Sequence, residues 1–347
     1  MLFTLKRCKL IFLSMIFLAL MVRITNAGAI RGSVLDMDGS LIDERVRVAY
    51  SPNMWEWTEN VFDNGEYELA GLAGGQYVLR ASGDTEDTWL VEGYYPGVID
   101  QYAAEWVFVP DDGELNDIDI RLYLGGRISG SVTPGEGGEF EANAVTAQIQ
   151  TSENPFWWST IRSFPLENPG DYASMPVPPG EYKIVYRTMA PDMHVDTYYG
   201  GTWDQWDAEI LIVNLEEWTE NIDAQLPVGG GVTGIVTGYG APLPYSTVMT
   251  VVPGSSPISS QMPFTYQMTN DQGVYALYGL PEGECLVQFY PSNRAFIQEW
   301  YNNAYQVWNA DPVPDRAGEM TEGIPTDRLS LKLFFSQAIF QRFYLTS

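Results

Sequence analysis

At 347 residues the chain is too long for one small domain and suits two or three of about 100 residues each. With 45% hydrophobic and 14% aromatic residues, 33 glycines and 22 prolines, it is no disordered chain, and turns should outnumber long helices. A formal net charge of −27 repels phosphate backbones and anionic lipid, which argues against nucleic acid as a partner.

The first 27 residues differ from everything after them. Lys6, Arg7 and Lys9 open the chain, Leu10 to Val22 is almost continuously apolar, and Thr25-Asn26-Ala27 offers short residues for a peptidase. That order predicts a signal peptide over residues 1–27, cleaved after Ala27. The apolar run is short for a membrane anchor, and no later segment reads as a span, so the mature chain is expected to have none. The leader takes away Lys6, Arg7, Lys9 and Arg23, leaving 14 of the 18 basic residues against 45 acidic ones, a net charge of −31. It also takes Cys8, so Cys285 stands alone and no intrachain disulfide is expected.

Beyond the leader, four landmarks recur in the same order. A strand opens on Gly-x-Val at Gly32 and Val34, Gly130 and Val132, and Gly234 and Val236. A hairpin follows, with Gly-x-Tyr and a second glycine ten residues on: Gly65, Tyr67 and Gly75; Gly170, Tyr172 and Gly180; Gly273, Tyr275 and Gly283. Apolar residues at alternate positions around these turns predict strands with one buried face. Then come Tyr95 and Ala104, Tyr199 and Ala208, and Tyr301 and Ala310, each alanine nine residues after its tyrosine. An isoleucine fourteen residues later closes each copy: Ile118, Ile222 and Ile324. Gly32 to Gly130 is 98 residues and Gly130 to Gly234 is 104, enough for a sandwich of short strands and too long for a solenoid repeat. The expected fold is therefore all-β, with three tandem β-sandwich modules at 28–124, 125–228 and 229–327. Residues 328–347 contain no acidic residue and match nothing upstream. A sorting tail, a truncated fourth copy and a shifted reading frame all stay open.

The strand start Gly126-Arg127-Ile128-Ser129-Gly130-Ser131-Val132 and the hairpin Gly273-Val274-Tyr275 through Leu280-Pro281-Glu282-Gly283 resemble the carboxypeptidase regulatory-like family. The resemblance implies a transthyretin-like or immunoglobulin-like β-sandwich, in tandem arrays of bacterial secreted or surface proteins. It implies nothing specific about function, because such modules are borrowed as spacers and as binding units. Lysine–asparagine crosslinks of the kind some related modules form are excluded for the array, since the mature chain has only Lys183 and Lys332.

Catalytic inventories fail early, and no enzyme is expected. His194 is the sole histidine, lies between Asp192 and Asp196, and reads as a solvated loop residue. Cys285 takes the place of Tyr77 and Tyr182 and reads as a small buried hydrophobe. Asp36-Met37-Asp38-Gly39 fails the helix-loop-helix calcium spacing, with Val34 and Arg45 at its end ligands, and reads as a turn. No cofactor is expected, although the acidic surface leaves a looser calcium site from loop carboxylates open. Tryptophan is the remaining candidate. Trp55 and Trp57, Trp157 and Trp158, and Trp203 and Trp206 fall in expected loops, where flat rings could stack on sugars or protein. Trp106, Trp218 and Trp308 fit packing between modules. The expected role is a non-catalytic structural spacer or adhesion array, secreted, extracellular or at the cell surface, with the periplasm as the other compartment. Its partner would be an extracellular protein or, with the loop tryptophans as the site, a neutral polysaccharide.

Overall fold

A computed structural model of the chain describes residues 27–85, 87–136, 138–140, 145–154, 157–165, 170–252 and 264–324, with backbone alone at 152–154, 157–159 and 161–165. Residues 1–26 of the expected leader at 1–27, and the tail at 328–347, lie outside the described residues. Regular structure is almost entirely β-strand, as the alternation of apolar residues predicted.

One strand order recurs three times. In the first copy, Gly28–Asp36 pairs antiparallel with Glu66–Leu72 and parallel with Glu114–Leu115 and Ile120–Leu122. The facing sheet runs Thr58–Phe62, Val46–Ser51, Gly75–Gly83, Gly93–Tyr94, with Val107–Val109 also on Gly75–Gly83. Ile30, Val34, Leu69 and Ile120 from one sheet meet Val46, Val48, Leu79 and Val109 from the other in a single core, which makes the pair a sandwich. The second copy repeats this with Gly170–Ala173, Arg127–Pro134, Trp218–Thr219 and Ala224–Leu226, opposite Trp157–Pro165, Val145–Asn154, Gly180–Thr188, Thr197–Tyr198 and Leu211–Val213. The third has Val274–Leu280, Gly230–Ile235 and Met320–Thr321, opposite Thr265–Met268, Thr247–Val251, Gly283–Tyr290, Glu299–Trp300 and Val313–Asp315. By contacts the chain divides into two compact units: residues 1–127 with 175–178 and 215–217, and the remainder, which holds the second and third sheet pairs.

The recurring landmarks turn out to be one device. Tyr67 donates its hydroxyl to the Ile118 carbonyl, Tyr172 to Ile222 at 2.9 Å, and Tyr275 to Ile324 at 2.8 Å. The same three carbonyls press on the strand-opening glycines. A Cβ at Gly32, Gly130 or Gly234 would lie 1.9, 2.1 or 2.2 Å from the oxygen, so only glycine fits. In the first two copies the following aspartate finishes the closure: Asp119 accepts from the Ser33 amide at 2.9 Å and Asp223 from the Ser131 amide at 2.7 Å. Each sandwich is thus tied from its first strand to its last connector by groups some 90 residues apart in sequence.

Candidate functional site

The second copy's Gly180–Thr188 strand points Tyr182, Ile184 and Tyr186 into its core, so Lys183, Val185 and Arg187 share the opposite face. Gln150 and Gln148 stand beside Lys183 and Val185 across the ladder, and Tyr198 pairs with Val185 from the other side. This outer face is covered by the loop after Tyr199. Gly200 and Gly201, at φ +96° and +77°, reverse the chain, and the Tyr198 amide donates to the Thr202 carbonyl at 2.7 Å. Asp204 then accepts from the Trp206 amide at 3.0 Å, and Lys183 reaches up to the Gln205 carbonyl. Burial holds the Lys183 ammonium below the usual lysine range, with Asp204 and Asp207 pulling it back up.

Trp203 and Trp206 project from this loop into a cavity of about 430 Å³ whose far wall is Val252, Phe264 and Tyr266 of the third copy. Trp203 meets Phe264 edge to face, ring centroids 5.7 Å apart. At one side Arg187 Nη1 bonds Asp196 Oδ2 at 2.7 Å while Arg187 Nε donates to Gln148 at 2.9 Å. The Thr188 amide gives Asp196 Oδ1 a bond of 3.0 Å. Burial raises the Asp196 carboxyl above its ordinary value, and Arg187 and the Thr188 amide oppose the shift. The site is therefore an aromatic cleft with one compensated ion pair at its edge. It has the size and mixed lining of a small-ligand pocket.

Of the six expected tryptophans, Trp203 and Trp206 share this cleft. Trp57 instead packs within its own copy, against Tyr94 at 6.0 Å and under the Arg80 guanidinium at 4.8 Å, with its indole N–H on the Met54 carbonyl at 3.1 Å. Trp55 is 76% exposed. The backbone of Trp157 and Trp158 lies in a strand, where a loop was expected, and their side chains are outside the described residues. Phe264, Tyr266, Arg187 and Asp196 were not singled out from the sequence. The Lys183-Val185-Arg187 alternation, charged residues on the face opposite Tyr-Ile-Tyr, was the available signal for Arg187; nothing local marked Asp196.

Two further expectations need correction. His194 is no solvated loop residue: it is 4% exposed, its Nδ1 sits 2.7 Å from Asp192 Oδ1, and its ring lies 4.6 Å from that of Phe140. The polar stretch misled because Asp192 bonds the His194 amide and ring, while Asp196 bonds the Thr188 amide and Arg187. Trp106, Trp218 and Trp308, expected in packed contacts, are 42%, 43% and 76% exposed. Asp36 to Gly39 forms the expected turn, with the Ser40 amide on Asp36 Oδ1 at 2.8 Å and Gly39 at φ +88°. Among the described residues no group of three or more His, Cys, Asp or Glu side chains gathers at a metal-binding spacing. Cys285 is 1% exposed in the third core, and burial pushes its thiol up to about 12.

No family model matches the chain, and no curated protein matches it. Among solved structures it is similar to the Bacillus anthracis TIE protein, at 13% identity and TM-score 0.23, covering 88% of this chain and 51% of that one. A leucine-rich repeat protein from Bacteroides thetaiotaomicron gives 13% identity and TM-score 0.30 over 58% of this chain and 27% of that one. A streptococcal ancillary pilin gives 10% identity and TM-score 0.26 over 86% and 98%. The chain thus spans about half of the first of these proteins and about a quarter of the second. Likenesses of that size say nothing about this chain's activity.

Proposed function

We propose that the chain is a non-catalytic protein of the cell exterior, in which three sandwich modules at 28–124, 125–228 and 229–327 act as a spacer or adhesion array. The observation that carries this reading is the Gly–Tyr–Ile closure repeated in each copy. The same tie recurs in all three copies, while the loops around it differ from copy to copy. The leader supports export, and the resemblance to regulatory-like modules supports a structural use. The test is protease shaving of intact cells followed by bead adhesion. Export predicts a mature chain beginning at Gly28 that is removed by shaving, and beads coated with it should adhere to cells or matrix. A chain recovered only from the cytosol with residues 1–27 attached would refute the reading.

A second reading is favoured by the cleft itself. The module array would bind a neutral polysaccharide through Trp203 and Trp206, whose side chains line a cavity on a surface too acidic for anionic glycans. Titration of the mature chain with a glycan panel, with and without calcium, tests it. Saturable binding lost in the Trp203→Ala/Trp206→Ala double variant is the expected result. Binding that survives in that variant would place the site elsewhere.

A further inference from the structure

Aromatic walls alone would suit an apolar ligand as well as a sugar ring. The ion pair at the edge of the cleft decides between them. Arg187 and Asp196 are both polar, and their side chains keep 40% and 29% of their exposure. An apolar ligand lying across them would strip their water and return nothing, a desolvation cost that grows with burial. A ring with hydroxyl groups can return it, since each hydroxyl both donates and accepts. Arg187 uses Nε on Gln148 and Nη1 on Asp196, and neither of those bonds involves Nη2. The pair therefore offers donor and acceptor side by side, in the same lining as the aromatic rings.

Charge narrows the ligand further. The guanidinium is already matched by Asp196, and Asp204 lies in the same lining. An anionic ligand would meet two carboxylates for one compensated cation.

The first copy supplies an internal contrast. On the corresponding face of its sheet, Arg80 bonds Glu59 and lies 3.7 Å from Glu92, and the chain's own Trp57 stacks on the guanidinium. There an arginine–carboxylate pair is closed off by an indole from within. In the second copy the pair borders an open cavity.

Resting on the carbohydrate reading above, we infer that the cleft takes one uncharged pyranose unit, with the ring against Trp203 and Trp206 and two adjacent hydroxyls read by the Arg187–Asp196 pair. Arg187 and Asp196 are then the residues that set specificity, and the tryptophans supply area.

The test is calorimetric titration of the mature chain with cellohexaose, maltohexaose and mannohexaose, with oligogalacturonate and decaproline as the anionic and peptide probes. At least one neutral hexasaccharide should bind saturably. Arg187→Met keeps the stem and removes the fork, and Asp196→Asn keeps the acceptor for the Thr188 amide. Each should weaken binding at least tenfold, the effect of losing charge-assisted hydrogen bonds. Trp55→Ala should leave it unchanged. If both edge variants bind the sugar as well as the parent while the double tryptophan variant does not, this inference fails and the carbohydrate reading stands. If a folded sample binds none of the neutral sugars, both fail. Tighter binding of decaproline or oligogalacturonate than of any neutral sugar would also overturn the inference, in favour of a peptide or an acidic glycan.

Discussion

Replacing Asp315 with valine should stabilise the third sandwich. The strand Val313–Asp315 occupies the place of Val107–Val109 and Leu211–Val213, and its first and last residues both point inward. Where the earlier copies bury Val109 and Val213, this one buries a carboxyl at 2% exposure, with neither oxygen in a well-formed hydrogen bond. Burial pushes the Asp315 pKa up to about 7, helped by Glu282 and opposed by the Gly230 amide. Because the folded value lies above the unfolded one, the folded state holds an extra proton between roughly pH 4 and 7. Stability therefore falls as pH rises through that window and levels off above it. A shift from the unfolded value near 3.9 to about 7 corresponds to about 4 kcal/mol, or about 2–4 kcal/mol once water reaching the site is allowed for. Cys285, on the strand beside it, has its thiol pushed up to about 12 by burial, so it stays neutral throughout this window and adds nothing. Hydrogen exchange on peptides covering 274–290, corrected for intrinsic rates, reads the effect locally. At pH 8 the Asp315→Val protein should exchange there more slowly by a factor of about 30 or more, and at pH 4 that gap should narrow, because only the cost of burying a neutral carboxyl in place of valine is left. Equal protection at pH 8, or parent protection that rises with pH, would refute the argument.

Other expectations follow from packing. Gly234→Ala should cost more than Tyr275→Phe: the first drives a Cβ to 2.2 Å from the Ile324 carbonyl, while the second removes one buried hydrogen bond worth about 1–2 kcal/mol. Urea titration of each variant checks the order. Trp57→Ala should destabilise the first sandwich by about 1–3 kcal/mol through lost packing on Tyr94 and Arg80, whereas Trp55→Ala should stay within about 0.5 kcal/mol. Cys285 should resist a thiol reagent in the native protein and react promptly in urea, because its thiol is both buried and held protonated. Rapid labelling of the folded chain would contradict that placement.

Much of the fold could be read before any coordinates. Tyr67 with Leu69, and Tyr182 with Ile184 and Tyr186, alternate because each strand buries one face, and a period of two survives in a single sequence. The spacing of Gly32, Tyr67 and Ile118 was visible too, but its meaning was not. Nothing local says that a tyrosine hydroxyl and a glycine 35 residues away share one carbonyl. The cleft was half legible. Trp203 and Trp206 were flagged by residue type, yet Phe264 and Tyr266 come from another copy, and only packing brings them to the same wall. His194 was misread for a related reason: a short polar stretch looks solvated until its partners, Asp192 and Phe140, are seen folding over it. Asp315 was missed because one inward carboxylate hides among 45 acidic residues.

The parallel pairing of the opening strand with the closing one bears on how such a chain carries load. Gly28–Asp36 lies beside Ile120–Leu122 and Arg127–Pro134 beside Ala224–Leu226, each pair running the same way, and in the third copy Gly230–Ile235 runs parallel to Met320–Thr321, the counterpart of Glu114–Leu115. Tension applied at the two ends of a copy slides these strands lengthwise past each other. All the rungs between them are then strained at once, where an antiparallel pair pulled from one end would peel open rung by rung. The tyrosine bolts sit across that sliding plane, so a copy should yield abruptly and late in a force–extension trace, and the tyrosine-to-phenylalanine variants should yield at lower force.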